Sequence, residues 1–184
     1  LSKESPKRTP DKVIIEPHTE SELPLTDYYI NRSDNLNPRY TFDSFVVGPF
    51  NELAFTAAQV VVKNPGIAYN PLFVYGETGR GKTHLAQAVG NHVKKSNQSK
   101  KVYYLTAERF GFEFMNAINN RSIPSFKEKF RSYDVLIMDD IQFFSKKGTI
   151  QEEFFHLFNT LHDANKQIVL SSDKHPNVIQ DITD

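Results

Sequence analysis

The stretch GETGRGKTH, residues 76–84, places three glycines, a lysine and a threonine in the order G-x-x-x-x-G-K-T. That spacing builds a phosphate cradle. Gly76, Gly79 and Gly81 let the backbone turn tightly and aim several N–H groups at one anion, while a helix starting near Lys82 adds its positive end. Lys82 is placed for the β- and γ-phosphates of a nucleotide and the Thr83 hydroxyl for Mg2+. Arg80 lies in the same loop, and the sequence leaves open whether its charge reaches the phosphates or faces solvent. A glycine turn with an exposed lysine is the plainer alternative; the order strand, loop, helix around the motif speaks against it.

A cradle alone hydrolyses nothing, so a second, acidic element is needed. DVLIMDD, residues 134–140, ends an apolar run in Asp139 and Asp140, at the carboxyl end of a buried strand where ligands sit in open α/β sheets. Asp139 suits the magnesium-side acid, and Asp140 the group that orients or deprotonates an attacking water. Two solvent-facing acids ending a strand are the competing reading. SSD, residues 171–173, closes another apolar run. Asp173 is the stronger candidate there for sensing a γ-phosphate, with Ser171 or Ser172 also in place, and an aspartate capping the next turn fits equally well. His84 reads as a packing or hydrogen-bonding residue rather than a catalyst.

Four strands and their helices must position these groups. PLFVYG (71–76), KVYYLT (101–106), DVLIMDD (134–140) and QIVLSSD (167–173) are short apolar runs. After the cradle, Leu85, Ala86, Val89 and Val93 form one helical stripe. Helices are also expected from Ala107 to about Asn119, from Pro124 to Arg131 with proline in the first turn, and from Gln151 to Asp163, where the acids at 152 and 153 suit a positive helix start. Strands alternating with helices give an α/β class, doubly wound around a parallel sheet.

Composition bounds the rest. The 184 residues suffice for one sizeable core. Lys+Arg and Asp+Glu both total 22, so nucleic-acid binding would need a local patch rather than a basic chain. There is no cysteine, which excludes disulfides, thiolate nucleophiles and cysteine zinc sites. No apolar run approaches the roughly 18 residues that cross a bilayer, and a cytoplasmic location is expected. Residues 1–37 mix proline, serine and both charge signs, and read as a flexible linker; an edge strand through Val13 to Ile15 is the alternative. Residues 38–184 read as the nucleotide-binding domain.

The segments YTFDSFVVGPFNELAFTAA, NPLFVYGETGRGKTHLAQAVGNHV, VYYLTAERF, DVLIMDDIQFF and TIQEEFFHLFNTLHDANKQIVLSSDKHP together resemble the ATPase core of the DnaA family, the bacterial replication initiators of the AAA+ superfamily. The resemblance covers about residues 38–181. It implies a P-loop AAA+ sheet with helices on both faces, ATP/ADP and Mg2+ as ligands, and a strand bearing Asp173 between the cradle strand and the acidic strand; as a departure from the family, the lid subdomain is expected to be absent here. FVVG resembles the family's adenine-side loop, so Val46, Val47 and Gly48 become candidates for backbone contacts to the base, with a strand-end turn as the alternative. Asn51 either shares that role or caps the next helix.

Members of the family grip single-stranded DNA with helices that follow the second strand. Arg121, Lys127, Lys129 and Arg131 occupy that place here with phenylalanines between them, and phosphate contacts or a solvated helix face both fit. Met115 and Lys147 match positions lining the DNA path; the family's basic residue near Thr149 is absent here, so that contact is either missing or shifted to Lys146 and Lys147. Asp140 follows the initiator pattern, where many AAA+ motors carry glutamate, and fits slow, Mg2+-dependent hydrolysis in the full-length protein. The chain stops before the family's arginine finger, lid and duplex-binding domain, so weak or absent turnover and no duplex recognition are expected of this piece. The resemblance implies an ATP-dependent initiator that assembles into a filament on origin DNA, with the replicative helicase and acidic phospholipids as further partners. A helicase loader or a regulator of the initiator is the alternative.

Overall fold

The computed structural model describes residues 33–176. Most of the expected linker, the Val13–Ile15 segment and the last eight residues lie outside them. In chain order the elements are α1 (Glu52–Lys63), β1 (Leu72–Tyr75), α2 (Lys82–Ser96), β2 (Val102–Thr106), α3 (Ala107–Asn119), α4 (Ile123–Arg131), β3 (Val135–Asp139), α5 (Gly148–Asp163) and β4 (Gln167–Ser172), with a short 3-10 turn at Ile141–Phe144 between β3 and α5.

All strand pairings are parallel, in the order β1-β4-β3-β2. Because side chains alternate along a strand, an apolar run covered on both faces must feed two cores. β3 does so: Val135 and Ile137 join the core that includes α1 and α2, while Leu136 and Met138 join the core that includes α3, α4 and α5. The second core is aromatic, with Phe110, Phe126, Phe130, Phe144 and Phe154 in edge, tilted or stacked contact. Thr106 caps α3 by accepting the Arg109 N–H, and Pro124 sits in the first turn of α4.

The expected elements are all present, and two boundaries differ. α5 starts at Gly148 rather than Gln151, so Glu153 does not serve the helix start; it is buried and pairs with Lys127 at 3.1 Å. Residues 33–37, read from composition as linker, are docked. Leu36 is 3% exposed within the α1/α2 core, Asp34 pairs with Lys94, and the Asp34 carbonyl accepts the Tyr104 N–H at 2.8 Å along the edge of β2. Gly90 permits this approach: a Cβ there would lie 2.7 Å from Ile137 and 2.9 Å from Leu36. One stripe of α2, Gln87, Asn91 and Lys94, holds the strap by its polar groups.

Candidate functional site

The cradle loop joins β1 to α2, with Gly79 and Gly81 at φ of 81° and 85°, a region that favours glycine. A side chain at Gly81 would also approach the Phe45 ring to 3.1 Å. Lys82 Nζ donates to the carbonyls of Gly76 (2.7 Å) and Glu77 (3.0 Å), which folds its ammonium back over the loop. Arg80 has a partner of its own: it donates to Glu77 at 2.7 Å and lies 5.6 Å from the Phe50 ring centroid. Its hydrogen bond and charge hold the exposed Glu77 carboxyl below the usual carboxylate range.

The sheet order places β4 between β1 and β3, and the strand ends converge on Asp139. Thr83 Oγ1 donates to Asp139 Oδ2 at 2.6 Å, the Tyr104 phenol donates to the same oxygen at 3.0 Å, and Ser171 Oγ donates to Oδ1. Asp139 is only 2% exposed. Burial raises its pKa above the ordinary aspartate range, partly opposed by the Thr83 and Tyr104 hydrogen bonds. Burial, and then the Asp139 charge, push the Tyr104 phenol far above its ordinary range, so it stays a proton donor.

Asp140 is exposed at φ 59°. Its N–H is held by Ser171 Oγ at 3.2 Å and its carboxylate by the Gln142 amide at 3.0 Å. Asp173 stands apart: its side chain is exposed beyond β4, and its backbone N–H donates to Gln142 Oε1 at 3.3 Å. The residue of SSD brought onto Asp139 is Ser171.

Val46 and Val47 are exposed on a turn braced by Asn51, which makes no side-chain cap. Its amide instead donates to the Val46 carbonyl and accepts the Gly48 N–H, at 3.0 and 2.8 Å. A cleft of about 330 Å3 lies between this side of the fold and the cradle, lined by Phe45, Phe50, Asn51, Arg80 and Lys82 among others. His84 packs, stacked on Tyr40 and hydrogen-bonded to the Thr41 carbonyl.

The DNA candidates divide. Met115 and Arg121 are exposed, and so are Lys146 and Lys147 beside the start of α5, with Lys147 5.1 Å from the Phe143 ring centroid. Lys127 and Lys129 are engaged by Glu153 and Glu113. No helix among the described residues is long and apolar enough to cross a membrane.

A family model described as the bacterial DnaA ATPase domain matches residues 36–184. The chain belongs to the DnaA family. It is 52% identical over 153 residues to the chromosomal replication initiator protein DnaA of Thermodesulfovibrio yellowstonii, covering 83% of this chain and 35% of that protein. Domain III from the Thermotoga maritima replication initiation protein DnaA matches with a TM-score of 0.78 and 45% identity, over 81% of this chain and 62% of that one. A replication initiator DnaA bound to AMPPCP and single-stranded DNA matches with a TM-score of 0.78 and 43% identity, over 82% and 47% of the two chains. The chain thus spans about a third of the length of its curated DnaA relative.

Tyr104 is a further member of the site that no motif marks. Its signal in the sequence is faint: a polar-tipped aromatic inside a buried strand needs a partner.

Proposed function

We propose that this domain is the nucleotide switch of an ATP-dependent initiator of chromosomal DNA replication. The carrying observation is the convergence of Thr83 and Ser171 on buried Asp139, beside a cradle lysine, in a domain of the DnaA family. Lys82 exchanges its two loop carbonyls for the β- and γ-phosphates. The backbone of Val46, Val47 and Gly48 meets the base; Asn51 holds this turn open to the cleft. The DnaA solved with AMPPCP supports a nucleoside triphosphate as the ligand.

The donors fit Mg2+. A threonine hydroxyl and a carboxylate 2.6 Å apart are hard oxygen ligands, and Mg2+ is ordinarily held by one or two such groups together with substrate phosphates and waters. When bound, it neutralises charge building between the β- and γ-phosphates. Asp140, steered by Gln142, orients the attacking water. Ser171 and Asp173, at the end of β4, report the state of the γ-phosphate.

ATP binding orders the domain for assembly into a filament on origin DNA and for strand opening, and hydrolysis resets it. Met115, Arg121, Lys127, Lys146 and Lys147 line the path of the single strand; the DnaA solved with single-stranded DNA supports this. The replicative helicase, acidic phospholipids, a cytoplasmic location and duplex recognition by another domain complete the reading. A helicase loader would share the cradle and the acids, and membership of the DnaA family favours the initiator. Calorimetric titration of ATP against the wild type and Lys82→Ala tests the site. Loss of about 10- to 100-fold in affinity is expected from one charge-assisted contact, and equal affinities would overturn the assignment.

A further inference from the structure

Two side chains behind the cradle have no role in the switch as described above. Tyr104 lies in β2, next to Ile137 of β3, and its phenol reaches Asp139 Oδ2 at 3.0 Å. Gln87, buried on α2, lies within reach of the same phenol. Its Oε1 is already committed, accepting the Asn37 N–H at 2.8 Å. A glutamine amide has one acceptor end and one donor end. With Oε1 turned to the backbone, Nε2–H is the end of the amide left to donate toward the phenol oxygen, and the phenol proton goes to Asp139. The backbone of Tyr104 is fixed as well, its N–H on the Asp34 carbonyl at 2.8 Å and its carbonyl on Asn35 Nδ2 at 3.1 Å.

We propose that Tyr104, oriented by Gln87, is a positioning residue for Asp139 that sets how tightly the site takes Mg2+. Three hydroxyl donors from three different elements meet this carboxylate: Thr83 and Tyr104 on one oxygen, Ser171 on the other. Rotating the carboxylate would break all three. Mg2+ demands near-ideal octahedral geometry at about 2.0–2.1 Å, so an acid held in one orientation serves it better than a free one. Partners behind a metal ligand typically change metal affinity by about 10- to 100-fold. Through Asn37, the strap at residues 34–37 reaches Gln87, and through the Tyr104 backbone it reaches the residue that donates to Asp139.

The inference rests on the Mg2+-nucleotide reading of the cradle, and the test separates the two. Binding of AMPPCP to the 184-residue chain is measured by calorimetry in EDTA and across a Mg2+ series, for the wild type, Tyr104→Phe and Gln87→Met. Tyr104→Phe removes one oxygen and keeps the ring. Its Mg2+ midpoint is expected to rise about tenfold, with affinity in EDTA unchanged. Gln87→Met moves the midpoint the same way by a smaller factor, because the phenol remains; it carries the test alone if Tyr104→Phe does not fold. An unchanged or lowered midpoint overturns the inference. So does an equal loss in EDTA and in Mg2+, the mark of a purely structural residue. A wild type whose AMPPCP affinity ignores Mg2+ overturns the metal reading first, and the inference with it.

Discussion

Thr83 Oγ1 and Asp139 Oδ2, 56 residues apart in sequence, lie 2.6 Å apart in the fold. The hydroxyl proton belongs to the carboxylate, which leaves the threonine oxygen lone pairs for a cation. Thr83→Ala is therefore expected to bring nucleotide affinity in Mg2+ down to its value in EDTA, while Thr83→Ser keeps the difference. Calorimetry in the two buffers checks both variants, and a Thr83→Ala chain that still gains affinity from Mg2+ would remove Thr83 from the metal site.

Ser171 and Asp173 stand differently toward Asp139. Ser171 is fully buried, donates to Asp139 and accepts the Asp140 N–H; the Asp173 side chain is exposed. Ser171→Ala is expected to lower unfolding free energy by about 1.5–3 kcal/mol, the worth of a hydrogen bond to a charged group, and Asp173→Ala by less than about 0.5 kcal/mol, as for ordinary surface positions. Urea denaturation of the two variants measures the contrast. Equal losses would argue against the Ser171 network.

Much of this architecture was legible in the chain. Apolar runs covered on both faces and 3.6-residue stripes located the strands of the described residues and the helices that follow the glycine loop, and the G-x-x-x-x-G-K-T spacing located that loop. What local pattern could not reach was set by contacts across the chain. Ser171 rather than Asp173 meets Asp139 because β3 and β4 pair Met138 with Leu170, which makes the next residue of each strand neighbours and leaves Asp173 two positions further on. The start of α5 was missed because Lys147 and Gly148 carry no side-chain cap. Residues 33–37 look like linker because they are polar, and only Leu36 together with Gln87, Asn91 and Lys94, some 50 to 60 positions away, makes them part of the fold.

That docking has a measurable cost of removal. Leu36 is 3% exposed and packs where a Cβ on Gly90 would come within 2.9 Å of it. Leu36→Ala is expected to cost about 2–5 kcal/mol, the range for truncating a buried leucine, read from the urea midpoint at constant m-value. A cost under about 0.5 kcal/mol would return these residues to the linker.

Asp134 contributes an acid-side dependence of stability. Burial alone would raise its carboxyl, but the Lys101 N–H at 2.9 Å and the Lys100 ammonium at 3.3 Å outweigh that and hold it below the ordinary aspartate range. A depressed folded pKa means stability that is present above the unfolded aspartate pKa and lost as pH falls through the folded one. Wild type should therefore exceed Asp134→Asn in stability at pH 7, and the gap should close on acidification below about pH 4, the ordinary aspartate range. A gap that is constant with pH would show that the carboxylate charge is not what Asp134 contributes.

The cations proposed for DNA are not equivalent, and their ion pairs decide the ranking. Lys127 is held by Glu153 at 3.1 Å and Lys129 by Glu113 at 2.7 Å, so a phosphate would have to compete with a carboxylate already in place. Lys147 is exposed and lies against an aromatic ring rather than an acid, and Arg121 is exposed at the end of α3. A cation free to displace a counterion contributes a slope of about 0.7 to the dependence of log affinity on log salt for a single strand. Lys147→Ala should then weaken binding of a poly-dT oligonucleotide in the presence of AMPPCP and Mg2+ and flatten its salt dependence by about that amount. Lys127→Ala should flatten the salt slope less, since Lys127 is already on Glu153 and displaces no counterion of its own. Fluorescence anisotropy over a salt series reads both slopes, and an equal fall for the two variants would show that the Lys127–Glu153 pair opens on DNA.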